Sequence, residues 1–193
     1  MKIFKLNPEN PDMELINKVI DVLADGGIVL YPTDTIYGLG ANIFSEEAVS
    51  KIYAIKNRAR DKPLSVLVSD FEGLNLVSRV SQKQRKYIET YLPGPFTFLL
   101  FKKPIVSSIL TPNTYKVGVR IPDYKISRLL AQNFPITTTS ANVSNKETLS
   151  NPKDIVKQLG NNVDLVIDVG ELNNHTPSTI IDLTKNVPIL IRK

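Results

Sequence analysis

The 193-residue sequence contains no cysteine, no tryptophan and a single histidine. Without cysteine, the chain cannot provide a disulfide, a thiol nucleophile or a thiolate metal site. The single histidine also excludes a metal centre built from several imidazole ligands. This residue, His175, lies among asparagine and threonine residues, and we predict that it is exposed in a loop.

Long apolar runs are missing as well. No stretch approaches the roughly 20 apolar residues that a membrane-spanning helix requires, so we expect a soluble cytoplasmic protein with no membrane contact. The sequence also lacks the Gly-x-x-x-x-Gly-Lys-Ser/Thr phosphate loop, and Gly38-Leu39-Gly40 does not fit the dinucleotide fingerprint. A bound nucleotide would therefore need side chains to hold its phosphates.

The composition is that of an ordinary globular protein, with 42% apolar and 22% charged residues. One domain covering residues 1–193 is expected, because a chain of this length can bury a sizeable core without splitting. The 24 basic residues outnumber the 19 acidic ones, which gives a formal net charge of +5. This bias fits anionic small molecules or nucleic acid and does not choose between them.

Helix and strand patterns are interleaved along the chain. Helices are predicted after Asp12 and after Ser45, and over residues 81–91, 124–133 and 152–159. Strands are predicted over residues 3–6, 28–31, 64–68, 96–101, 117–121, 136–139, 165–168, 179–183 and 189–191. Some strand pairs lie too close in sequence for a helical crossover, so we predict an α/β fold with α+β character, in which helices flank a mixed sheet.

A cationic stretch follows the predicted helix that begins at Ser45. It comprises Lys56-Asn57-Arg58-Ala59-Arg60 and Lys62. Arginine suits bidentate contacts to phosphate or carboxylate, and lysine supplies a point charge. The alternatives are a solvated basic loop and, for Lys56, simple stabilisation of the helix C-terminus.

Two polar stretches are candidates to complete a site with these cations. Thr137 to Asn142 runs from a predicted strand, and its hydroxyl and amide groups can bind substrate atoms or cap the next turn. The stretch from Pro32 to Gly38 lies between a predicted strand and helix, where α/β proteins usually place ligands. Together with the cations, these stretches suggest a site for several anions.

Further candidates are scattered along the chain. Arg120 ends a predicted strand and is a candidate carboxylate anchor, with a structural ion pair as the alternative. Asp34 is a lone carboxylate among candidate phosphate binders, where it could position hydrated magnesium, with an Asx turn as the alternative. Ser144, Ser150 and Ser178 add hydroxyl groups that also suit turns or helix caps.

Seven motifs, in order along nearly the whole chain, resemble the YrdC-type threonylcarbamoyl-AMP synthases, which act in making N6-threonylcarbamoyladenosine in tRNA. The motifs are Pro32-Thr33-Asp34-Thr35-x-Tyr37-Gly38-Leu39, Lys56-x-Arg58, Lys62-Pro63-Leu64, Pro93-Gly94-Pro95-x-Thr97, Val119-Arg120-Ile121-Pro122, Ser140-Ala141-Asn142-x-Ser144 and Pro177-Ser178-Thr179. The length of the chain resembles the single-domain form of the family. The resemblance implies a twisted mixed sheet around a basic, concave active site.

The resemblance also implies a reaction in which L-threonine, bicarbonate and ATP, supplied with Mg²⁺, give L-threonylcarbamoyl-AMP and pyrophosphate. It implies a downstream tRNA threonylcarbamoyl transferase as partner and leaves direct contact with tRNA or RNA open. By motif, the catalytic cluster comprises Lys56, Arg58, Ser140 and Asn142. The residues implied near L-threonine are Thr35, Arg120, Ser140 and Ser178, and those implied near ATP are Arg58, Lys62, Asn142, Ser150 and Arg192.

The chain departs from some relatives at Leu67 and Lys116, where those proteins carry histidine and threonine. Threonine contacts at these positions are therefore open, and Lys116 is a candidate to face a phosphate. Two other functions remain in competition. One is an RNA-binding protein whose basic concavity follows phosphates without catalysis, and the other is a paralogue acting in another carbamoyl transfer.

Overall fold

The computed structural model describes residues 1–160, 162–173 and 176–193, so His175 lies outside the described residues. Within these ranges the chain forms eleven strands and six helices. The strands are β1 (Lys2–Lys5), β2 (Val29–Tyr31), β3 (Gly38–Gly40), β4 (Ser65–Leu67), β5 (Ser78–Arg79), β6 (Phe96–Lys102), β7 (Lys116–Arg120), β8 (Ile136–Ser140), β9 (Leu165–Asp168), β10 (Thr179–Asp182) and β11 (Ile189–Arg192). The helices are α1 (Met13–Ala24), α2 (Glu46–Ile55), α3 (Phe71–Val77), α4 (Gln82–Ile88), α5 (Lys125–Leu130) and α6 (Pro152–Leu159).

All eleven strands join one sheet in the order β1-β9-β2-β3-β8-β4-β7-β6-β10-β11, with β5 paired to β6 beside this path. Parallel pairs form between β1 and β9, β2 and β9, β4 and β7, and β6 and β10. The remaining pairs are antiparallel. The predicted mixed sheet is therefore confirmed.

Side-chain caps start the helices where the sequence predicts them. The Asp12 carboxylate accepts from the amides of the first turn of α1, and the Ser45 hydroxyl does the same for α2. Ser81 forms a capping box with Gln84 at the start of α4. The helix predicted over residues 81–91 ends early, at Ile88, and α5 ends at Leu130 instead of residue 133.

Two hydrophobic clusters pack on opposite faces of the sheet. Because neighbouring strand residues point to opposite faces, Leu30 packs with α2 and α6, whereas Tyr31 packs with α1 and α5. Leu67 of β4 belongs to the second cluster and is fully buried. Two residues earlier on the same face, Ser65 lines a cavity. Helices α1 and α5 therefore cover only part of this face, and the rest forms the concave site.

The sequence analysis missed β3, α3 and β5. Strand β3 carries two glycines, which predict a turn better than a strand, but the ring of Tyr31 packs against both. A Cβ on Gly38 or Gly40 would lie 3.0 Å from Tyr31 ring atoms. Helix α3 contains a glycine and an asparagine, both poor helix formers.

Among the described residues, no helix is long and apolar enough to cross a membrane.

Candidate active site

The main cavity, of about 380 Å³, lies on the open face of the sheet. Strands β3, β8, β4, β7, β6, β10 and β11 all contribute to its lining. Along β7, every second residue faces the cavity, namely Lys116, Gly118 and Arg120. This is the alternation that a strand imposes, because side chains at i and i+2 share a face.

A smaller side cavity, of about 240 Å³, adjoins the main cavity. Its lining consists of Lys56, Asn57, Arg58, Ala59, Lys62, Ser140, Asn142, Ser144 and Asn145. Arg58 and Ser140 line both cavities, so a ligand in one cavity would meet a ligand in the other at these residues.

The end of α2 brings Lys56 and Arg58 to this boundary. Lys56 caps the helix, and Asn57 then adopts a left-handed conformation with φ of 46°. The amide of Arg58 bonds back to the carbonyl of Tyr53 at 2.9 Å. Asparagine tolerates this conformation better than most residues, and it is common where helices end. The Lys-x-Arg spacing therefore places both cations beside one turn of the chain.

Lys56 is nearly fully buried, and its ammonium donates to three oxygens. These are the carbonyl oxygens of Ser140 and Asn142 and the Oδ1 of Asn142, the last at 3.2 Å. Burial, with a smaller effect of the Arg58 guanidinium, lowers the pKa of Lys56 to about 7. Because an ammonium has three N–H groups, Lys56 holds the turn after β8 in place and presents little of itself to a ligand.

The turn after β8 is stabilised from within. The Ser140 hydroxyl donates to Oδ1 of Asn142, and the Asn142 amide nitrogen donates to the carbonyl oxygens of Val143 and Lys146. The Ser144 hydroxyl lines the side cavity, and its buried oxygen has no hydrogen-bond partner among the described residues. A buried unpaired hydroxyl is uncommon in folded proteins, so Ser144 is a binding candidate in its own right.

Arg58 and Lys62 supply the accessible cations of the side cavity. Nε of Arg58 donates to the Lys62 carbonyl at 3.2 Å, and Nη2 donates to the Pro63 carbonyl at 2.9 Å. These bonds orient the guanidinium, and burial lowers its pKa. The Lys62 side chain is exposed at the rim.

Arg120 is the buried cation of the main cavity. Its Nη1 donates to the Thr35 hydroxyl at 2.8 Å, and its Nη2 forms an ion pair with the carboxylate of Asp34. Burial lowers the pKa of Arg120, and the Asp34 carboxylate opposes this shift. The Nε of Arg120 has no partner among the described residues.

Ser178 and Arg192 close the far side of the main cavity. The Ser178 hydroxyl lies 2.8 Å from that of Thr97 on β6. Arg192 donates from Nε and Nη2 to the Ser178 carbonyl, at 3.2 and 2.7 Å. This contact fixes the end of β11 over the site, so the structure brings Ser178 and Arg192 together as part of the predicted set.

Leu67 and Lys116, the two positions where the chain departs from some relatives, lie in different surroundings. Leu67 lies in the core and does not line either cavity. Lys116 does line the main cavity, and its ammonium donates to the nearly buried carboxylate of Asp182 at 2.6 Å. The phosphate contact suggested for Lys116 stays a prediction, and a ligand there would compete with or join this ion pair.

Two sequence candidates do not line either cavity. Ser150 lines neither of them, and its hydroxyl donates to Glu171 at 2.7 Å. Asp34 also lines neither; besides its ion pair, it accepts from the Asp123 amide at 3.2 Å. A role for Ser150 near ATP stays a prediction. The sequence analysis missed Ser65 as a lining residue, although a serine inside an apolar strand is the signal that indicates it.

The described residues do not offer a resident metal site. No group of three or more histidine, cysteine, aspartate or glutamate side chains among them is placed to hold an ion. The carboxylate of Asp34 is committed to Arg120. Magnesium bound with ATP, and its water-mediated contact with Asp34, stay predictions.

The fold and the site define a mixed α/β protein whose open sheet face carries a cavity lined by Arg58, Lys116, Arg120 and Arg192. The family model for Sua5, YciO and YrdC proteins, described as "Telomere recombination", matches residues 21–193. The chain belongs to this family, as the sequence motifs predict.

Three relatives illustrate the similarity. The chain is 40% identical to a putative threonylcarbamoyl-AMP synthase of Methanocaldococcus jannaschii, covering all of this chain and 91% of that protein. The crystal structure of P. abyssi Sua5 complexed with L-threonine has a TM-score of 0.93 at 31% identity, covering all of this chain and 57% of that one. The crystal structure of E. coli YciO has a TM-score of 0.91 at 30% identity, covering all of this chain and 96% of that one.

Proposed function

We propose that this protein is an L-threonylcarbamoyladenylate synthase, a nucleotidyltransferase that makes threonylcarbamoyl-AMP and pyrophosphate from L-threonine, bicarbonate and MgATP. The observation that carries the proposal is that Arg58 and Ser140 line both cavities. An amino acid in the main cavity and phosphates in the side cavity would therefore meet at these residues. The relatives named as threonylcarbamoyl-AMP synthases support the same reaction.

In the main cavity, Arg120 is the proposed anchor for the threonine carboxylate. Its Nε is buried and unpartnered among the described residues, and Thr35 and Ser178 supply hydroxyl groups nearby. A carboxylate that reached this guanidinium would satisfy a donor that the protein leaves unpaired. This arrangement favours an amino acid bound by its carboxylate, with its amine directed away from Arg120.

In the proposed reaction, the neutral amine of threonine attacks the bicarbonate carbon, and water leaves to give a carbamate. A carbamate oxygen then attacks the α-phosphorus of MgATP, and the bond to the leaving pyrophosphate breaks. The chain needs no covalent nucleophile for this sequence. Its contribution is to hold three mutually repelling anions in reach of one another and to stabilise the charge that develops.

The side cavity is the proposed site of the phosphates and of the carbamate. Arg58 and Lys62 would offset the charge of the triphosphate, and the hydroxyls of Ser140 and Ser144 would donate to anionic oxygens. Lys56 would act by fixing the turn that carries Ser140 and Asn142. Arg192, which lines the main cavity, would reach the nucleotide from the β11 side.

The first experiment is pyrophosphate release by purified protein, with L-threonine and bicarbonate omitted in turn. Release that requires both substrates would support the synthase. Arg58→Ala should abolish release while the far-ultraviolet circular dichroism stays unchanged, whereas unchanged activity would remove Arg58 from the mechanism. As a cation control, Lys153→Ala, at an exposed position on α6, should behave as wild type.

A paralogue with another amine or acyl substrate is the second candidate. The observation that favours this candidate is the Lys116 cation in the main cavity, at a position where some relatives carry threonine. Pyrophosphate release that depends on bicarbonate and an amine other than threonine would support this candidate.

As part of the synthase proposal, the product passes to a tRNA threonylcarbamoyl transferase in the cytoplasm.

A further inference from the structure

Four neighbouring strands, β8, β4, β7 and β6, build the floor of the main cavity. Thr138 of β8 pairs with Ser65 of β4, and both residues line the cavity. Beyond Ser65 lies Gly118 of β7, which pairs in turn with Leu99 of β6. Directly paired residues share a face of the sheet, so these four residues form one row across the floor.

This floor row lies between the two parts of the proposed reaction site. Arg120, the proposed carboxylate anchor, follows Gly118 by two residues on β7, and Ser140 follows Thr138 by two residues on β8. Because β4 is parallel to β7 and antiparallel to β8, Arg120 and Ser140 lie on opposite sides of the row. An amino acid with its carboxylate at Arg120 and its amine towards the side cavity therefore places its side chain over the floor row.

Gly118 leaves the centre of the floor row open. A Cβ at this position would lie 2.5 Å from Oγ of Ser65 and 3.3 Å from Cγ2 of Thr97. A larger residue would therefore displace the Ser65 hydroxyl. The glycine leaves that hydroxyl uncovered on its β7 side.

The Ser65 hydroxyl is free to bind a ligand. It makes no hydrogen bond within the part of the chain that the structure describes. By contrast, the hydroxyls of Thr97 and Ser178 bond to each other at 2.8 Å, and that of Thr35 accepts from Arg120. Because a serine hydroxyl both donates and accepts, Ser65 can bond to a hydroxyl group of a ligand.

The other side of Gly118 is apolar. Leu99 is half-buried and lines the cavity, and Ile180 of β10 continues the apolar surface. The floor row therefore presents a hydroxyl on one side of an open glycine and a hydrocarbon surface on the other. A side chain lying over it meets two different environments.

We propose that Ser65 and Leu99 determine which amino acid the site accepts, by selecting a side chain that carries one hydroxyl and one methyl group on Cβ. The inference rests on the proposed function, which supplies the carboxylate position at Arg120. Ser65 bonds to the hydroxyl of the substrate, and Leu99 packs against its methyl group. A site that bonds a substrate hydroxyl rejects analogues lacking it, because its own polar group is then left unpaired.

The test compares wild type with Ser65→Ala in pyrophosphate release from L-threonine, L-valine and L-allo-threonine, at saturating bicarbonate and MgATP. Ser65→Ala should lower the ratio of kcat/KM for threonine to that for valine about ten-fold, since one hydrogen bond is lost. It should also narrow the preference for threonine over allo-threonine, in which the hydroxyl and methyl positions are exchanged. The ratio is the readout because a general structural defect lowers both values alike.

Leu99→Ala tests the apolar side of the floor row. The ratio of kcat/KM for threonine to that for serine should fall about ten-fold, since serine lacks the methyl group. The threonine-to-valine ratio should stay at its wild-type value in this variant, because both side chains carry a methyl group on the Leu99 side. Loss of the threonine-to-valine preference in Leu99→Ala would contradict the separate roles of the two residues.

Ser78 of β5 provides the matched control. It is a buried serine that lines neither cavity, and its hydroxyl donates to the Leu74 carbonyl at 2.7 Å. Ser78→Ala should lower the unfolding midpoint and leave every substrate ratio unchanged. Equal changes of the ratios in Ser65→Ala and Ser78→Ala would overturn the inference.

The outcomes for the inference and for the proposed function are distinct. A wild type that requires threonine, together with a Ser65→Ala variant of unchanged threonine-to-valine ratio, would overturn the inference and leave the synthase standing. Equal use of threonine and valine by wild type would overturn the inference as well. Release by wild type that depends on no amino acid would overturn the proposed function and, with it, this inference.

Discussion

At the scale of single residues, Arg120 depends on a carboxylate that lies 86 positions earlier in the sequence. Both side chains of the Arg120–Asp34 pair are largely buried. The ion pair offsets part of the cost of removing a guanidinium from water, and it turns the guanidinium so that another edge meets Thr35 and the cavity. In the proposed synthase, Asp34 would therefore act as a positioning residue for Arg120.

Asp34→Asn is therefore expected to lower the free energy of unfolding by about 3 kcal/mol, the usual cost of leaving one partner of a buried ion pair behind. The same change should raise the KM for L-threonine more than it lowers kcat. Chemical denaturation and steady-state kinetics measure the two effects. The double variant Asp34→Asn/Arg120→Met should regain stability but not threonine binding.

The exposed ion pair between Glu14 and Lys18 supplies the control for this prediction. Glu14→Gln should change the unfolding free energy by no more than about 0.5 kcal/mol, as is typical of exposed pairs. If Asp34→Asn lowered the unfolding free energy by no more than Glu14→Gln does, Arg120 would not depend on its carboxylate partner.

Lys56 predicts a pH dependence of stability with a defined sign. Because the pKa of Lys56 is lowered to about 7 in the folded protein, the unfolded chain binds more protons between about pH 7 and its ordinary value of 10.5. The cost of burying the ammonium is fully present below pH 7 and is relieved as the pH rises. This contribution to the unfolding free energy should grow by at most about 1.4 kcal/mol per pH unit.

Urea denaturation of wild type and Lys56→Met at pH 6, 7, 8 and 9 measures this contribution, because methionine does not titrate. The stability of wild type relative to the variant should rise with pH over this range. The exposed Lys62, replaced by methionine in the same way, provides the comparison. A stability of wild type relative to Lys56→Met that falls as the pH rises would contradict the prediction.

At the scale of elements, the end of α2 decides whether the two cations reach the site. Asn57 has a left-handed conformation there, which costs an alanine about 1 to 2 kcal/mol. Asn57→Ala should lower the unfolding free energy by about this amount. It should also lower kcat, because Lys56 and Arg58 flank the turn.

Gly160, at the end of α6, has φ of 69° and offers the matched control. Gly160→Ala should cost a similar amount of stability without lowering kcat, since Gly160 does not line either cavity. Equal kinetic losses in both variants would show that general destabilisation, and not the position of the cations, explains the effect. Thermal denaturation and pyrophosphate release distinguish the two outcomes.

The elements also show what the sequence could and could not predict. Strand β9 and helix α6 have the predicted bounds, because strong apolar patterns and a proline near the start of the helix define them. Strand β3 was missed because its stability depends on the ring of Tyr31, a tertiary contact that no local pattern reveals. Similarly, the motifs identified Arg120 and Thr35, but their direct hydrogen bond exists only in the folded chain.

Ser150, a sequence candidate that lines neither cavity, shows the same limit. Ser140 is the last residue of β8, whereas Ser150 lies in the polar stretch that follows the strand, so the sheet fixes the position of Ser140 only. Ser150 lies ten residues farther along and bonds to Glu171 instead. Position in the sequence therefore predicts a site residue best where a strand or helix end fixes the backbone.

At the scale of the whole molecule, one sheet connects the two hydrophobic clusters. Alternate residues of β2 belong to opposite clusters, and β8 pairs with both β3 and β4, which joins the two halves of the sheet. Disrupting the sheet would therefore expose the buried side chains of both clusters. We therefore expect residues 1–193 to unfold as a single cooperative domain.

Two cavity-forming substitutions test this expectation, one in each cluster. Ile16 of α1 and Ile52 of α2 are both fully buried, and replacing either with alanine should cost about 2 to 5 kcal/mol. In a single domain, Ile16→Ala and Ile52→Ala each shift the whole transition, seen by far-ultraviolet circular dichroism and by tyrosine fluorescence at the same denaturant concentration. If the two clusters were separate domains, each variant would instead shift only one of two transitions and leave the other at its wild-type midpoint.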